Sequence, residues 1–406
     1  MARNTPLATR LQLGMEFSWS EDQVRSAEQA RVFAERELGG EGEDAAADAA
    51  SRFRARWRRC ATFGLQALAI PAGYGGLGLN TRTAVRVFEG LGQGCRDNGL
   101  LLGLGAQAWS VAKPLELFGT EAQKREWLPR LANGEAVGAF ALSETGSGSD
   151  AFRMQTRAWP DGDGFRLEGG KAFITNAPVA DVFLVFASTA PEAGYFGLTA
   201  FLLERGAAGL EVGPALKKMG LETSPMAELR FNHVLLPPPA VLGELGGGSA
   251  VLQTTLEWER GCLLAPALGT IQRLLEATTA HCRARKQFGR PIIEFEAVAR
   301  QLAEVRLRLE LSRLLAYQFA WLKDENRAAM VEASMVKLYL SESFRRAAEV
   351  ALHLHGASGY MREHEYEGCW RDAMASSLYS GTTEMQQNLI AESLLRSPAP
   401  AARRAA

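Results

Sequence analysis

Gly164-Phe-Arg-Leu-Glu-Gly169, Val182-Phe-Leu-Val-Phe-Ala187, Leu198-Thr-Ala-Phe-Leu-Leu203 and Ala227-Glu-Leu-Arg-Phe231 make up the stretch that decides the fold. Each is a short alternating or continuously apolar run bounded by Gly, Pro, Asn or Asp, which is the pattern of strands in a small sheet or barrel. Pro237-Pro-Pro-Ala240 and Gly246-Gly-Gly248 mark the exit from this region.

On either side the apolar spacing is helical. Upstream, from about Ser20 to Asn133, charged faces run through Glu21 to Glu37 and Asp44 to Cys60. A Gly-rich break follows at Ile70-Pro-Ala-Gly-Tyr-Gly-Gly-Leu-Gly78, and helices resume around Thr83 to Gly94 and Glu121 to Leu131. Downstream, from Ala250 to about Leu395, stretches such as Glu294 to Lys323 and Ala328 to Leu354 are long enough for a bundle. The expected class is therefore α+β, with a helical domain at 16–138, a β domain at 139–245 and a helical bundle at 246–396. Residues 397–406, rich in Ala, Pro and Arg, are expected to be a disordered tail.

Composition agrees with several domains and removes whole classes of function. A chain of 406 residues exceeds the roughly 250 to 300 residues that one core supports. Lys plus Arg (45) nearly balances Asp plus Glu (46), so no global field draws the chain to nucleic acid or to an anionic membrane. No segment approaches the ~20 apolar residues needed to span a bilayer. The five cysteines, Cys60, Cys95, Cys262, Cys282 and Cys369, form no C-x-x-C pair and suit reduced thiols in a cytoplasmic chain. Arg3 and Arg10 lie in a leading segment without the apolar block of a signal peptide, read as a flexible extension with a transit peptide as the alternative. No clustering of Cys, His and acids at metal-ligand spacing is apparent, so no metal is expected.

Candidate chemistry sits in a few motifs. In Ala141-Leu-Ser-Glu-Thr-Gly-Ser-Gly-Ser-Asp150, Gly146 and Gly148 let backbone approach a flat ligand closely, while the hydroxyls of Ser143 and Ser149 can donate to it; a plain turn is the alternative. In Lys171-Ala-Phe-Ile-Thr-Asn176, Phe173 and Thr175 fall two apart on an expected strand, so an aromatic wall and a hydroxyl share one face. In Arg285-Lys-Gln-Phe-Gly289, Arg285 and Phe288 fall three apart, neighbours on a helix face or at its end.

These motifs, together with His355-Gly-Ala-Ser-Gly-Tyr360, Tyr379-Ser-Gly-Thr382 and the loop Ile70 to Leu79, resemble the acyl-CoA dehydrogenase family in order and spacing over residues 16 to 395. The resemblance implies that family's fold: an N-terminal helical domain, a middle β-barrel and a C-terminal four-helix bundle. It implies FAD, held by Leu142, Ser143, Gly148, Ser149, Phe173, Thr175, Gly356 and Thr382, with Phe173 on the isoalloxazine, Thr175 near N5 and Thr382 at the pyrophosphate. It also implies an oligomer, a homotetramer or homodimer, in which Arg285 and Phe288 reach the FAD of an adjacent subunit. An electron-transferring flavoprotein is an implied electron acceptor, with oxygen as the alternative. Glu296, His353 and Glu384 stand at flavin-site positions where relatives commonly carry glutamine, and an ionised acid cannot donate a hydrogen bond.

The implied reaction needs a carboxylate to remove the α-proton of a thioester while the flavin takes a hydride from the β-carbon. Most relatives place that glutamate where Leu378-Tyr379-Ser380-Gly381-Thr382-Thr383-Glu384 has Ser380. The N–H at 380 survives the substitution and remains a donor to the thioester carbonyl. In Leu256-Glu257-Trp258-Glu259-Arg260, Glu259 before Arg260 resembles the isovaleryl-CoA and long-chain branches, which carry the base at this alternate place. Glu257 is not equivalent, because two residues turn a helix by about 200°.

Trp258 to Leu263 and Tyr379 to Gln386 also resemble the dehydrogenases of secondary metabolism that act on carrier-protein thioesters, including prolyl ones. The expected function is thus FAD-dependent α,β-dehydrogenation of an acyl or aminoacyl thioester on a carrier protein or CoA. Glu259 is the expected base, and Arg260, Tyr379 and Ser380 are expected at the substrate. A flavin monooxygenase or oxidase on the same scaffold and a non-catalytic binding protein are the rival readings.

Overall fold

The computed structural model describes residues 18–39 and 48–395. The expected leading extension, the start of the expected helix at Asp44 and the expected tail at 397–406 lie outside the described residues.

Helix starts are written in capping residues. Ser20 closes a capping box with Gln23 at the head of α1 (Glu21–Glu37), and Thr120 does the same with Gln123 at the head of α6 (Glu121–Ala132). Asp48, Asn80 and Asp97 cap α2 (Ala49–Phe63), α3 (Thr81–Gly94) and α4 (Asn98–Gln107). From α4 the chain runs through a π-helical turn, Ala108–Ala112, into α5 (Lys113–Phe118) without leaving the helix.

The middle region is one sheet of eight strands: β1 (Gly138–Ala141), β2 (Arg157–Asp161), β3 (Gly164–Thr175), β4 (Val182–Ser188), β5 (Leu198–Glu204), β6 (Leu210–Val212), β7 (Met226–Leu236) and β8 (Val241–Leu242). They run in the order β6-β7-β3-β2-β4-β5-β8, with β1 parallel to β4. Strand β4 is buried on both faces because each serves a different core. Phe183 and Val185 pack with β3, β5 and β7 inside the sheet, whereas Val182, Leu184 and Phe186 pack on Leu115, Trp127 and Leu128 of α5 and α6. The rings of Phe165 on β3 and Phe201 on β5 meet edge to face at 5.6 Å although their strands are not neighbours, so the sheet wraps around its own core.

Four long helices follow: α7 (Gly248–Cys262), α8 (Ala265–Ala284), α9 (Glu296–Asp324) and α10 (Met330–Leu354); α11 (Glu365–Ala375) and α12 (Thr383–Leu395) close the chain. One apolar cluster joins this bundle to the N-terminal helices, from Ala30 to Ala373. Helices α3 and α8 cross at glycine contact: a Cβ on Gly269 would lie 1.9 Å from the carbonyl oxygen of Glu89, and one on Gly92 equally close to that of Pro266. That close crossing brings the α3–α5 layer and the bundle together, and the candidate site lies where they meet the turn at 376–381.

Arg285 and Phe288 do not share a helix face. Helix α8 ends at Ala284, and the chain turns back in a hairpin of β9 (Lys286–Gln287) and β10 (Arg290–Pro291). Phe288 and Gly289 form its two-residue tip at φ 52 and 83, the positive pair such a turn requires.

Candidate active site

Helix α7 delivers two acids to opposite sides, as its pitch requires. Glu257 is committed to structure: its Oε1 accepts from Lys323 Nζ at 2.9 Å and from the Ala329 N–H at 2.6 Å, tying α7 to the start of α10. Glu259 turns the other way and is 8% exposed, with Oε2 buried and unpartnered among the described residues. Trp258 between them is buried, and its ring stacks on that of Trp109 at 5.8 Å with the planes 1° apart.

Around Glu259 stand Ser110 from the π turn, Arg260, Lys337 from α10 and Ser380. Burial pushes its carboxyl above the ordinary value of 4.5, and Ser380, Arg260, Lys337 and Ser110 pull it part of the way back. The sign has two consequences. The protonated form is the one the fold favours, so the stability this group contributes is present below its ordinary value and lost as pH rises through the raised one. Proton abstraction needs the carboxylate, so kcat/KM is expected to rise with pH along an acid limb above 4.5. A pH–rate profile checks this, and a limb at or below that value contradicts the assignment.

The turn after α11 is held by its carbonyls. Arg260 Nε donates to the Ser380 carbonyl at 3.0 Å, and Gln386 Nε2 donates to those of Ser380 and Gly381 at 3.1 and 2.9 Å. Lys337 Nζ donates to Ser376 O at 2.6 Å and Gly381 O at 3.4 Å, and lies 5.4 Å over the Tyr379 ring. Burial depresses the Lys337 ammonium to about 8, with Glu259 opposing the shift. Ser380 itself sits at φ 59, a strained position for a residue with a Cβ, and among the described residues its N–H donates to nothing.

Arg260 and Ser380 are thus brought together with Glu259, and Tyr379 lies beside them under Lys337. Lys337 and Gln386 were absent from the sequence expectations. Their signal was present in outline, since Lys337 falls on the same helix face as buried Ala333 and Leu340.

The expected cofactor residues lie apart from this cluster, mostly at the surface. Strand β3 is irregular where Phe173 and Thr175 were expected to alternate: Phe173 is at φ 60 and the register with β7 slips between Lys171 and Ile174. Both side chains still open outward while Ile174 between them is buried, and Phe173 is 60% exposed. Leu142 and Ser143 are half-buried and Gly148 and Ser149 exposed, in a loop pinned when the Ala172 N–H donates to Ser143 O at 2.8 Å. Phe288 is 93% exposed at the hairpin tip, with Arg285 exposed at its base.

Gly356 is at φ 60 after α10, and Thr382 Oγ1 accepts from the Met385 N–H at 3.4 Å at the head of α12. Glu296 pairs with Arg300 one turn on, His353 is exposed on the last turn of α10, and Glu384 is exposed on the first turn of α12.

These residues fit FAD on a feature of the fold itself. Gly146 and Gly148 have ordinary φ values and no heavy atom within 4 Å of an added Cβ, so neither backbone strain nor internal packing accounts for them. Room for close approach of a molecule from outside does, and the open Phe173 ring offers a flat apolar surface for an isoalloxazine. Among the described residues no group of His, Cys, Asp and Glu suits a metal ion, and no helix is long and apolar enough to cross a membrane.

Comparison with known proteins gives matches along the chain. Residues 20–135, 139–234 and 246–395 match the N-terminal, middle and C-terminal domain models of acyl-CoA dehydrogenase. An L-prolyl-[peptidyl-carrier protein] dehydrogenase of Pseudomonas fluorescens is 39% identical over 84% of this chain and 90% of its own. The crystal structure of the prolyl acyl carrier protein oxidase AnaB superposes with a TM-score of 0.89 at 39% identity, covering 93% of this chain and all of that one. PigA with FAD and proline gives 0.88 at 34% identity, over 94% of this chain and 99% of that one.

Proposed function

The chain belongs to the acyl-CoA dehydrogenase family, and from that premise we propose that it is an FAD-dependent dehydrogenase of an acyl or aminoacyl thioester carried on a carrier protein, with Glu259 as its base. The observation that carries this reading is the buried Glu259 carboxyl group beside the Ser380 turn, held above its ordinary value by burial. The relatives, an L-prolyl-[peptidyl-carrier protein] dehydrogenase and a prolyl acyl carrier protein oxidase, support the carrier-bound substrate.

Bound FAD supplies the two-electron acceptor for a hydride from the β-carbon; the residues named above around Gly148 and Phe173, with Arg285 and Phe288 serving a neighbouring copy, would hold it. The chain itself handles the other half. Glu259 takes the α-proton as the α-C–H electron pair becomes the new C=C bond. The Ser380 N–H donates to the thioester carbonyl, which gains negative charge as the proton leaves. Arg260, Gln386 and Lys337 fix the neighbouring carbonyls, so this donor meets the substrate already oriented.

The same proposal takes 16–138, 139–245 and 246–396 as the domains and a cytoplasmic site of action, supported by five buried, unpaired cysteines. A homotetramer or homodimer belongs to it as well, supported by the exposed Phe288 ring and the exposed Leu307, Leu311 and Leu314 on α9; an electron-transferring flavoprotein is the proposed acceptor.

Product mass tests the reaction class. A carrier-bound L-prolyl thioester is expected to lose two hydrogens per two-electron step. Gain of an oxygen atom would instead assign a monooxygenase and overturn the proposal.

A further inference from the structure

Between β4 and β5 the loop 189–197 displays two aromatic rings to solvent, Tyr195 and Phe196, the latter 76% exposed. Phe152, exposed in the loop after β1, brings a third. Its ring lies 5.2 Å from that of Tyr195, which meets the Phe196 ring edge to face at 5.3 Å. Leu245, also exposed, stands in the turn against Phe196, where a Cβ on Gly246 would come within 2.8 Å of the Phe196 carbonyl oxygen. Exposed apolar side chains scattered singly need no explanation, but a contiguous group of this kind marks a contact surface.

The loop is built to hold its rings in place. The Thr189 N–H donates to Gly197 O at 2.7 Å and closes the base, where a Cβ on Gly197 would lie 1.9 Å from the Ala190 carbonyl oxygen. Ser249, at the head of α7, donates its hydroxyl to the Tyr195 carbonyl, and the Gly246 N–H donates to Thr199 Oγ1 at 3.0 Å. Rings already fixed lose little freedom on binding, which favours association.

The position of the patch says what it meets. Ser249 and Glu259 stand near opposite ends of α7, so the rings lie about 15 Å along that helix from the proposed base. An extended phosphopantetheine arm is as long as about five peptide residues, roughly 16 to 18 Å. With its thioester at Glu259, such an arm reaches the patch with the body that carries it. Charge decides between a protein and the nucleotide of CoA as that body. The segments 150–153, 191–197 and 244–246 hold the acids Asp150, Glu192 and Glu244 against one cation, Arg153, which pairs with Asp150 at 3.8 Å. The phosphates of CoA would meet net negative charge there, whereas an apolar protein face would meet the rings.

We propose that Phe152, Tyr195 and Phe196, with Leu245 beside them, form the docking face for the carrier-protein domain that presents the thioester. This rests on the carrier-bound dehydrogenase reading above and adds to it the surface by which the carrier is recognised.

The test measures anaerobic flavin reduction of the FAD-loaded protein by an L-prolyl thioester on a peptidyl-carrier protein and by the same thioester on free pantetheine. The carrier-bound form is expected to reduce the wild type about tenfold or more faster in apparent second-order rate. Phe196→Ser and Leu245→Ser, both at exposed positions, are each expected to slow the carrier-bound form by about tenfold. The pantetheine thioester is expected to react as fast as before. Equal rates with the two thioesters in the wild type overturn the proposal, as do variants that slow both by the same factor or neither. A variant whose sedimentation shows a changed oligomeric state assigns the patch to contact between copies of this chain, and also overturns it. Reduction of the wild type by neither thioester overturns the dehydrogenase reading, and this inference with it, which separates the two failures.

Discussion

Replacing Glu259 by glutamine is expected to lower turnover by about a hundred- to ten-thousand-fold, the range a positioned general base contributes, while the protein stays yellow. Glutamine keeps the size of the side chain, so the packing around α7 is disturbed little. What disappears is the carboxylate proposed to take the α-proton. Ser380 has no base of its own beside it, and Glu257 is spent on Lys323 and the Ala329 N–H. The loop at 142–150 and the hairpin tip at Phe288, proposed to hold the flavin, belong to other elements, so flavin retention is expected to separate loss of chemistry from loss of fold. Steady-state rates with flavin absorbance check both. A Glu259→Gln protein turning over near the wild-type rate would place the base elsewhere.

Lys171→Met is expected to destabilise the folded protein by about 3 to 5 kcal/mol, because it leaves a carboxylate buried without its counter-ion. The Lys171 side chain is fully buried, and Nζ donates to Glu144 Oε1 at 2.8 Å and to Leu142 O at 3.0 Å. Glu144 in turn accepts from the Gln155 N–H at 2.5 Å and the Thr156 N–H at 3.1 Å. One ion pair therefore holds both ends of the loop that carries Gly146, Gly148 and Ser149. Burial raises the Glu144 carboxyl, and Lys171, with the Gln155 N–H and the Thr156 side chain, outweighs it, leaving it below the ordinary value. Its stabilising contribution is present above the ordinary carboxylate range and lost as pH falls through the lowered value.

Thermal unfolding and flavin titration of Lys171→Met are expected to show a lower melting temperature and weaker flavin binding together. An unchanged melting temperature would contradict this account of the pair.

The expected helices and strands that formed as read are those with strong local signals. Ser20, Asp48, Asn80 and Thr120 mark helix starts, and β4 and β5 lie in the apolar runs that decided the class. Asn98 to Phe118 fell inside the helical region but was not marked off as an element of its own, because Gly-Leu-Leu-Leu-Gly-Leu-Gly is apolar all round and no face stands out against another. Strand β2 was missed because it is short and carries Pro160, a residue that demotes a strand pattern.

The hairpin at 286–291 is legible in the Phe-Gly pair, whereas the spacing of Arg285 and Phe288 suggests a helix face or its end; only Arg285, at the C-cap of α8, fits that. At the site, the residue types of the 378–384 turn and of 256–260 pointed to Glu259. The π turn that brings Ser110 to it, and the reach of Lys337 across to Ser376, arise from packing between distant elements and left no local pattern.

Anaerobic mixing of the FAD-loaded protein with an L-prolyl thioester on its carrier protein, and with the same acyl group on CoA, tests the central claim most directly. The account expects the flavin to bleach with the carrier-bound thioester and far more slowly with the CoA ester. A flavin that stays bound and oxidised with the carrier-bound thioester, or one bleached as fast by the CoA ester, would contradict it.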